Sequence, residues 1–444
     1  MMGSRLVVMC ARLAHRQQPL ARFGRVIVRG TGNDGATVST TLRSLRYHNA
    51  KLFFSGLAIS NVGTWLQMTA MSLLVYRLTG EATSVGISVA AQFLPMLLLG
   101  AWAGVIADTY DKRTMAIITQ SGLAAQALLL GALDLAGLIT LPLVYGLSLL
   151  LGIVAAFDNP ARRGLVTELV PTPDIPNATS LNTAVMTGSR IFGPAMAAGL
   201  VATIGTAWCF IFNGLTFFAI IFSLVAIRRD EMFPMPRRPK GGKPIRESLH
   251  FVAGRRDMAI IYSLLVIVSA VAFNQAVVLP KLADEQWGGE AVFGLVLAVM
   301  SAGSLAGSLL TARHHRVTMR WFFGSLVVMA LAGFGLAWAP SLALAFVWAV
   351  PFGAGSAGFV AGANAIVQQE CPPDMRSRLL ALQAVAFLGS TPIGGPITGL
   401  IADNVSAEWA LAYSSVISLV CVAVGALYWQ AGVRGEAREL TPTA

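Results

Sequence analysis

The chain has 444 residues, of which 55% are hydrophobic and only 12% are charged, and its mean hydropathy is +0.68. Soluble globular domains contain about twice that fraction of charged residues, so this composition excludes a water-soluble fold and indicates an integral membrane protein. The formal net charge is +11. The positions of the Lys and Arg residues along the chain indicate which partner this charge meets.

The first segment, residues 1–50, is basic and contains no apolar core of the about 7 to 15 residues that a secretory signal needs. We predict that it is a cytoplasmic extension without fixed structure.

Twelve apolar segments follow, each long enough to cross the hydrocarbon core of a bilayer as a helix. We name them spans one to twelve. In the first half they are predicted at residues 53–76, 84–107, 115–133, 141–157, 178–203 and 207–227. In the second half they are predicted at residues 258–280, 291–312, 321–339, 342–367, 379–402 and 408–430.

Nearly all of the 32 Lys and Arg residues lie before span one or in alternate loops after it. The other set of loops holds only Arg77 and Lys281, and Arg190 lies inside span five. Because cytoplasmic loops are enriched in Lys and Arg, we expect both termini in the cytoplasm. Cations on that face meet anionic lipid headgroups, so the expected partner is the lipid bilayer and not nucleic acid.

Three short features recur at a separation of about 200 residues, which indicates an internal repeat. They are Pro173-Asp174 with Pro373-Asp374, Gly193-Pro194 with Gly395-Pro396, and Gly104 with Gly307. Parallel repeats of this kind are typical of secondary transporters. We predict an all-α integral membrane fold with twelve transmembrane helices in two parallel six-helix repeats. Its parts are an N-terminal bundle (51–227), a cytoplasmic linker (228–257), a C-terminal bundle (258–430) and a cytoplasmic tail (431–444).

The hairpin between spans two and three carries a cluster of charges. Gly104 permits close packing of helices, and Asp108 is suited to meet the positive end of a helix dipole. Lys112 and Arg113 are suited to pair with carboxylates, and Asp158 at the end of span four is their candidate partner. We interpret this set as a latch between moving helices; the alternative is ordinary interfacial charge.

The same hairpin resembles the signature of the major facilitator superfamily, in which Gly, Asp and two basic residues occupy the positions of Gly104, Asp108, Lys112 and Arg113. Further segments resemble the enterobactin-exporter-like (transmembrane secretion effector) branch of that superfamily. They are SNVGTWLQ at 60–67, NPAR at 159–162, RIFGP at 190–194, and Asn364 followed by PDMR at 373–376. The resemblance covers residues 45–430, and the segment from Val38 resembles the usual start of such chains, so we expect the functional chain to begin there.

The resemblance implies alternating access in the bacterial inner (plasma) membrane, with Asp108 meeting the start of span eleven when the cavity faces outward. It implies a secondary transporter that uses protons to export a small organic molecule such as a siderophore, a drug or an amphipathic metabolite. We expect the protein to be a monomer. An uptake permease or facilitator is the alternative within transport. A non-transporting membrane receptor on the same fold is the alternative outside it.

Several polar side chains inside the spans are candidates for the substrate cavity. They are Asn61, Trp65, Gln67 and Met68 in span one, Arg190 in span five, Asn274 and Gln275 in span seven, and Asn364 in span ten. An amide in a span either lines a cavity or bonds to another helix. A cation near the bilayer centre costs about 2.5 to 3.5 kcal/mol, so Arg190 either binds an anionic group of the substrate or is satisfied by backbone carbonyls and water.

No Asp or Glu falls clearly in the middle of a predicted span, which leaves Asp134 and Asp403, near the outer ends of spans three and eleven, as possible proton acceptors. The pairs Gly193-Pro194 and Gly395-Pro396 are predicted to kink their helices, or else only to pack them closely.

Signals for an enzyme are missing from the sequence. It contains no phosphate-binding loop, no nucleophile beside a base, and no cysteine spacing suited to a metal. We therefore predict a protein that is not an enzyme and that has no cofactor and no metal.

Overall fold

The computed structural model describes residues 40–233, 244–289, 292–372 and 375–439, and within these ranges it leaves out a few side chains, including that of Asp108. The regular secondary structure of these ranges is entirely helical. Residues Thr41–Ala444 form one compact unit. The prediction of an all-α membrane fold is confirmed.

We number the α-helices of the described ranges α1 to α15. The first six are α1 (His48–Thr79), α2 (Ala82–Thr109), α3 (Lys112–Leu135), α4 (Leu141–Glu168), α5 (Ile175–Ile204) and α6 (Thr206–Ala226). Next come α7 (Pro244–Ala253), α8 (Arg256–Ala272), α9 (Gln275–Gln286), α10 (Phe293–Ala312) and α11 (Met319–Ala337). The last four are α12 (Leu342–Glu370), α13 (Arg376–Leu388), α14 (Thr391–Asn404) and α15 (Ala407–Glu439). Short 3₁₀ turns occur at Thr40–Arg46, Thr172–Asp174 and Arg229–Glu231.

Eleven segments of the described chain are long and apolar enough to cross a membrane, and they correspond to predicted spans two to twelve. The predicted span one is α1, whose 32 residues exceed the length required. Helix α1 is not among these eleven segments, because polar side chains such as Asn61, Gln67 and Ser72 lower its mean hydropathy. These three side chains are buried, so α1 is an interior helix that keeps its polar groups away from lipid.

Spans seven and eleven are each built from two helices, where the sequence predicts one continuous helix. Span seven is interrupted between α8 and α9, and span eleven between α13 and α14. The two interruptions adjoin each other: the hydroxyls of Ser269 and Ser390 are hydrogen-bonded, and the rings of Phe273 and Phe387 meet edge to face with centroids 4.8 Å apart. Irregular backbone at membrane depth is tolerated where protein surrounds it in this way.

Residues 40–50 are expected to lack fixed structure, but Thr40–Arg46 form a 3₁₀ turn and α1 begins at His48. Asp174 anchors them, because it accepts hydrogen bonds from Arg43 at 2.5 Å, from Arg46 at 2.8 Å and from the Tyr47 hydroxyl at 2.6 Å. Residues 1–39, including the predicted start at Val38, lie outside the described ranges, as do Pro373-Asp374 and much of the 228–257 linker.

The two Gly-Pro pairs lie inside helices that continue through the proline. A Cβ on Gly193 would come within 2.4 Å of the Trp65 Cβ and 2.9 Å of the Leu66 backbone nitrogen, so α5 packs closely on α1. Gly395 packs in the same way on Gly86 of α2, with its carbonyl oxygen 2.4 Å from the position of a Gly86 Cβ. Close helix packing is what these glycines provide here, and the interruption of span eleven lies upstream, at Gly389 and Ser390.

Candidate functional site: a central cavity and its two ends

Successive spans run in opposite directions, so the loops gather at two ends. We call one the basic end; its junctions are residues 110–111, 169–174, 227–255, 313–318 and 371–375. We call the other the opposite end; its junctions are residues 80–81, 136–140, 205, 287–292, 338–341 and 405–406.

A cavity of about 480 Å³ lies among helices from both halves of the sequence. Helices α1 to α6 supply one side of its lining, and α8, α12 and α13 supply the other. Aromatic rings, methionine side chains, amides and arginines all line it. Such a mixture of apolar surface with a few polar groups is typical of a small-molecule site.

Six of the eight predicted cavity residues lie on this lining: Asn61, Trp65, Gln67, Met68, Arg190 and Asn364. Gln67 is nevertheless occupied, because it donates a hydrogen bond to Gln126 at 3.1 Å and accepts one from Asn213 at 2.7 Å. This buried amide network joins α1, α3 and α6, which gives Gln67 an interhelical role.

Asn274 and Gln275, the other two predicted cavity residues, are not on this lining in the present conformation. Asn274 donates to the carbonyl of Ala270 at 2.6 Å and to the hydroxyl of Thr398 at 3.1 Å. Gln275 donates to the carbonyl of Ala272. Both side chains therefore donate to backbone carbonyl groups beside the interruption of span seven. Hydropathy does not reveal such an interruption.

Arg190 lies halfway along α5, about 22 Å from either end of the helix. Its guanidinium lies over the ring of Trp65, 4.9 Å from the ring centre, and faces the open cavity. Arg163, on the last turns of α4, also lines the cavity. Neither arginine has a hydrogen bond or an ion pair with any residue that the structure describes.

Asp158 also lines the cavity, and its predicted pairing with Lys112 or Arg113 is wrong. It accepts hydrogen bonds from Arg162 at 2.5 Å, from Thr119 at 2.9 Å and from Gln120 at 2.8 Å. The reason is that α4 continues to Glu168 instead of ending at residue 157. Asp158 therefore lies about 15 Å inside the helix end, and the expectation that no acid lies deep in a span needs the same correction.

The two cations of the hairpin hold neighbouring helix ends. Lys112 pairs with Glu168 at the end of α4. Arg113 donates to the carbonyls of Leu224 and Val225 at 2.6 and 2.7 Å, which satisfies the last turn of α6. Both contacts fix α3 to its neighbours.

The start of α3 is capped by Asp111, which accepts from the backbone N–H of Thr114 at 2.7 Å and from its hydroxyl at 2.6 Å. Partial burial raises the pKa of Asp111, but these hydrogen bonds and the charges of Arg229 and Arg113 outweigh it and hold the pKa below its ordinary value.

Gly104 makes no close helix contact in this conformation: a Cβ built on it would meet no described atom within 4 Å. The same is true of Gly100, one turn away. Asp108 lies in the last turn of α2, and its side chain is outside the described part of the structure. Helix α2 is thus unpacked on this face near the basic end.

The opposite end of α2 is tightly packed against span eleven. Asp403 at the end of α14 accepts hydrogen bonds from the backbone N–H groups of Ala82 and Thr83, at 3.0 and 2.7 Å, and from Lys281 at 2.9 Å. Tyr76 donates to Asp284 at 3.2 Å nearby. The cavity is therefore closed at the opposite end.

The lining also includes side chains with charge or hydrogen-bonding capacity that the sequence does not predict there, among them Arg162, Arg163 and Gln383. Gln383 was visible as an amide inside an apolar segment. The sequence places both arginines in a loop, because the predicted span four ends at residue 157 whereas α4 continues to Glu168. Among the described residues, no group of three or more His, Cys, Asp or Glu is placed to hold a metal.

Comparison with known proteins gives a family. The profile of the transmembrane secretion effector family matches residues 39–442. The chain is 25% identical over 377 residues to an uncharacterized MFS-type transporter of Bacillus subtilis, covering 79% of this chain and 85% of the relative. It is also 25% identical over 385 residues to an enterobactin exporter of Shigella boydii, covering 81% of this chain and 86% of the relative.

Among solved structures, the fold is similar to a bacterial homologue of the human lysosomal transporter Spinster in an inward-facing, unoccupied conformation. The TM-score is 0.61 at 15% sequence identity, over 89% of this chain and 99% of that one. At this identity the likeness concerns the fold alone.

Proposed function

The chain belongs to the transmembrane secretion effector family of major facilitator superfamily transporters, and on that premise we propose that it exports a small organic molecule by alternating access coupled to protons. Members of this superfamily are multi-pass membrane transporters and not enzymes. The finer parts of the proposal are the direction, the coupling ion and the cargo.

The observation that carries the proposal is the change in packing along α2. Gly86 is in backbone contact with Gly395 near the opposite end, while Gly100 and Gly104 have no described neighbour on their Cβ side near the basic end. A cavity closed at one end and bordered by separated helices at the other is what one state of an alternating-access cycle requires. The helices that separate would be those of the two six-helix bundles, 51–227 and 258–430.

We assign the basic end to the cytoplasm, with both termini on that side of a bacterial inner (plasma) membrane, because Lys and Arg favour cytoplasmic loops. The cavity would then face the compartment from which an exporter collects its cargo. The similarity to an enterobactin exporter favours export over uptake. Asp108 would act as the latch at this end when the cavity faces outward, and the protein is proposed to work as a monomer.

Flux measurements in vesicles test the proposal. Purified full-length protein is reconstituted, and the movement of a panel of labelled organic molecules is followed with and without an imposed pH gradient, against protein-free vesicles. Export against a concentration gradient that stops when the pH gradient is collapsed supports the proposal. Movement that only equilibrates the compound indicates a facilitator, and no movement of any compound under any gradient favours the receptor alternative.

A profile of secreted metabolites from a strain lacking the protein identifies the cargo. A compound that accumulates inside the mutant cells and is depleted outside them supports export. Depletion inside the cells instead indicates uptake.

A further inference from the structure

We propose that the cavity binds an organic anion, with Arg190 as the central contact and Arg163 as a second cation toward the basic end. This inference deepens the proposed transport function and rests on it. It is drawn from the balance of charges on the cavity wall.

The described lining holds three arginines and one carboxylate. Asp158 is the carboxylate, and Arg162 already pairs with it at 2.5 Å. Thr119 and Gln120 donate to the same carboxylate, so little of its accepting capacity is left. Arg163 and Arg190 therefore remain as cations without a described counter-ion.

An arginine without a counter-ion cannot become neutral by losing its proton, because its guanidinium stays charged under all ordinary conditions. Stacking on Trp65 orients the Arg190 guanidinium and leaves its N–H groups free for an acceptor. A carboxylate, phenolate or similar acidic oxygen group would accept two parallel hydrogen bonds from such a fork. The repulsion from two free arginines disfavours a cationic cargo.

Neutral groups of the same wall indicate what else the anion carries. The side-chain oxygens Oε1 of Gln120 and Gln383 are buried and have no described hydrogen-bond partner. The Gln120 amide is oriented by its donation to Asp158 at 2.8 Å, so its oxygen is the free atom. These oxygens suit hydroxyl or amide N–H donors, and the rings of Trp65 and Phe387 suit an apolar or aromatic body. Because Gln383 lies on α13 and Arg190 on α5, such a ligand would bridge the two halves.

The test uses purified full-length protein and three matched compounds: 1-naphthoate, 1-naphthamide and 1-naphthylmethylammonium. Their binding is measured by isothermal titration. We expect the anion to bind at least about tenfold more tightly than the amide or the ammonium compound, since a charge-assisted pair is worth that much. Equal or tighter binding of the ammonium compound or the amide, or no binding of the anion in the millimolar range, would overturn the inference.

Variants then locate the site. Arg190→Gln should reduce anion binding about tenfold and leave amide binding unchanged, while Arg190→Lys should retain part of the preference. Arg163→Gln should have a smaller effect. The matched control is Arg313→Gln, which removes an equal charge from an exposed position outside the cavity and should bind like wild type. Wild-type anion binding by Arg190→Gln contradicts the assignment; if that variant fails to fold, Arg190→Lys and the three compounds decide it.

Vesicle flux keeps the two proposals separate. Binding with anion preference but without transport of any compound would leave this inference standing and remove the transport function. Transport of neutral or cationic compounds without anion preference would leave the transport function standing and overturn this inference.

Discussion

Asp403 accepts a hydrogen bond from the backbone N–H of Thr83 at 2.7 Å, and so joins the end of span eleven to the start of span two. The contact places a carboxylate at the positive end of the α2 dipole, with the Thr83 hydroxyl as a further donor at 2.6 Å. The hairpin at the basic end is expected to use the same chemistry in reverse, with Asp108 of span two meeting the start of span eleven. The two spans would thus carry one carboxylate latch at each end.

The first prediction is that Asp403→Asn weakens closure of the opposite end. The amide loses the charge-assisted bonds to Thr83 and Lys281, which should shift the equilibrium toward opening by about 1 to 2 kcal/mol, or roughly 5- to 30-fold. Spin labels at the exposed positions Leu78 and Val405 report the distance across this end by double electron–electron resonance. A larger long-distance population is expected.

Asp134→Asn is the matched control, because Asp134 lies at the same end and bonds to Thr206 within the first half of the chain. It should leave the distance distribution unchanged. Identical distributions for wild type and Asp403→Asn would show that Asp403 has no latch role.

The second prediction concerns Asp108. Asp108→Asn should leave the protein folded and inserted but slow transport, because the outward-facing state loses its charge contact at the basic end. Initial rates in reconstituted vesicles measure the effect, and thermal unfolding in detergent checks the fold. Wild-type turnover in this variant would remove the gating assignment.

The third prediction is that the cap at Asp111 contributes stability but not gating. Asp111→Ala should lower the free energy of unfolding by about 0.5 to 2 kcal/mol, while Asp111→Asn, which keeps a capping oxygen, should lose less. Because the pKa of Asp111 is lower in the folded protein than in the unfolded chain, the charged cap stabilises the fold more at higher pH. This extra stability is fully present above the ordinary aspartate pKa, near 4. It is lost as the pH falls through the lowered pKa. The gap between wild type and Asp111→Asn should therefore shrink in acid, as measured by thermal unfolding.

The spans could be predicted from the sequence because a segment in lipid must form all its backbone hydrogen bonds within one helix. Such helices need long apolar segments, which hydropathy detects directly. The end of span four could not be predicted in this way. Asp158, Arg162 and Arg163 resemble a loop by composition, yet Asp158 and Arg162 neutralise each other and the helix continues past them. Which amide lines the cavity also depends on partners distant in sequence, as Gln67 and Asn274 illustrate.

The fourth prediction follows from that corrected position. Asp158 is the carboxylate on the described cavity wall, surrounded by Arg162, Thr119 and Gln120 with Arg163 near Arg162. An ionisable residue this deep in a span is by default a functional position, so we predict that replacing Asp158 changes the coupling of transport. Asp158→Asn should abolish the response of vesicle flux to a pH gradient while leaving downhill flux measurable. A full response to the gradient in this variant would exclude Asp158 as the coupling site.

The fifth prediction compares two glycines of one helix. A Cβ on Gly86 would lie 2.4 Å from the carbonyl oxygen of Gly395, whereas a Cβ on Gly104 would meet no described atom within 4 Å. Backbone cannot move aside as a side-chain end can, so Gly86→Ala should destabilise closure of the opposite end by about 1 to 3 kcal/mol. Gly104→Ala should leave this conformation intact and destabilise the state in which the basic end is closed. The Leu78 and Val405 labels should therefore report more opening for Gly86→Ala, and the same or less for Gly104→Ala. Shifts in the same direction for both variants would contradict a cycle in which α2 exchanges its packing between the two ends.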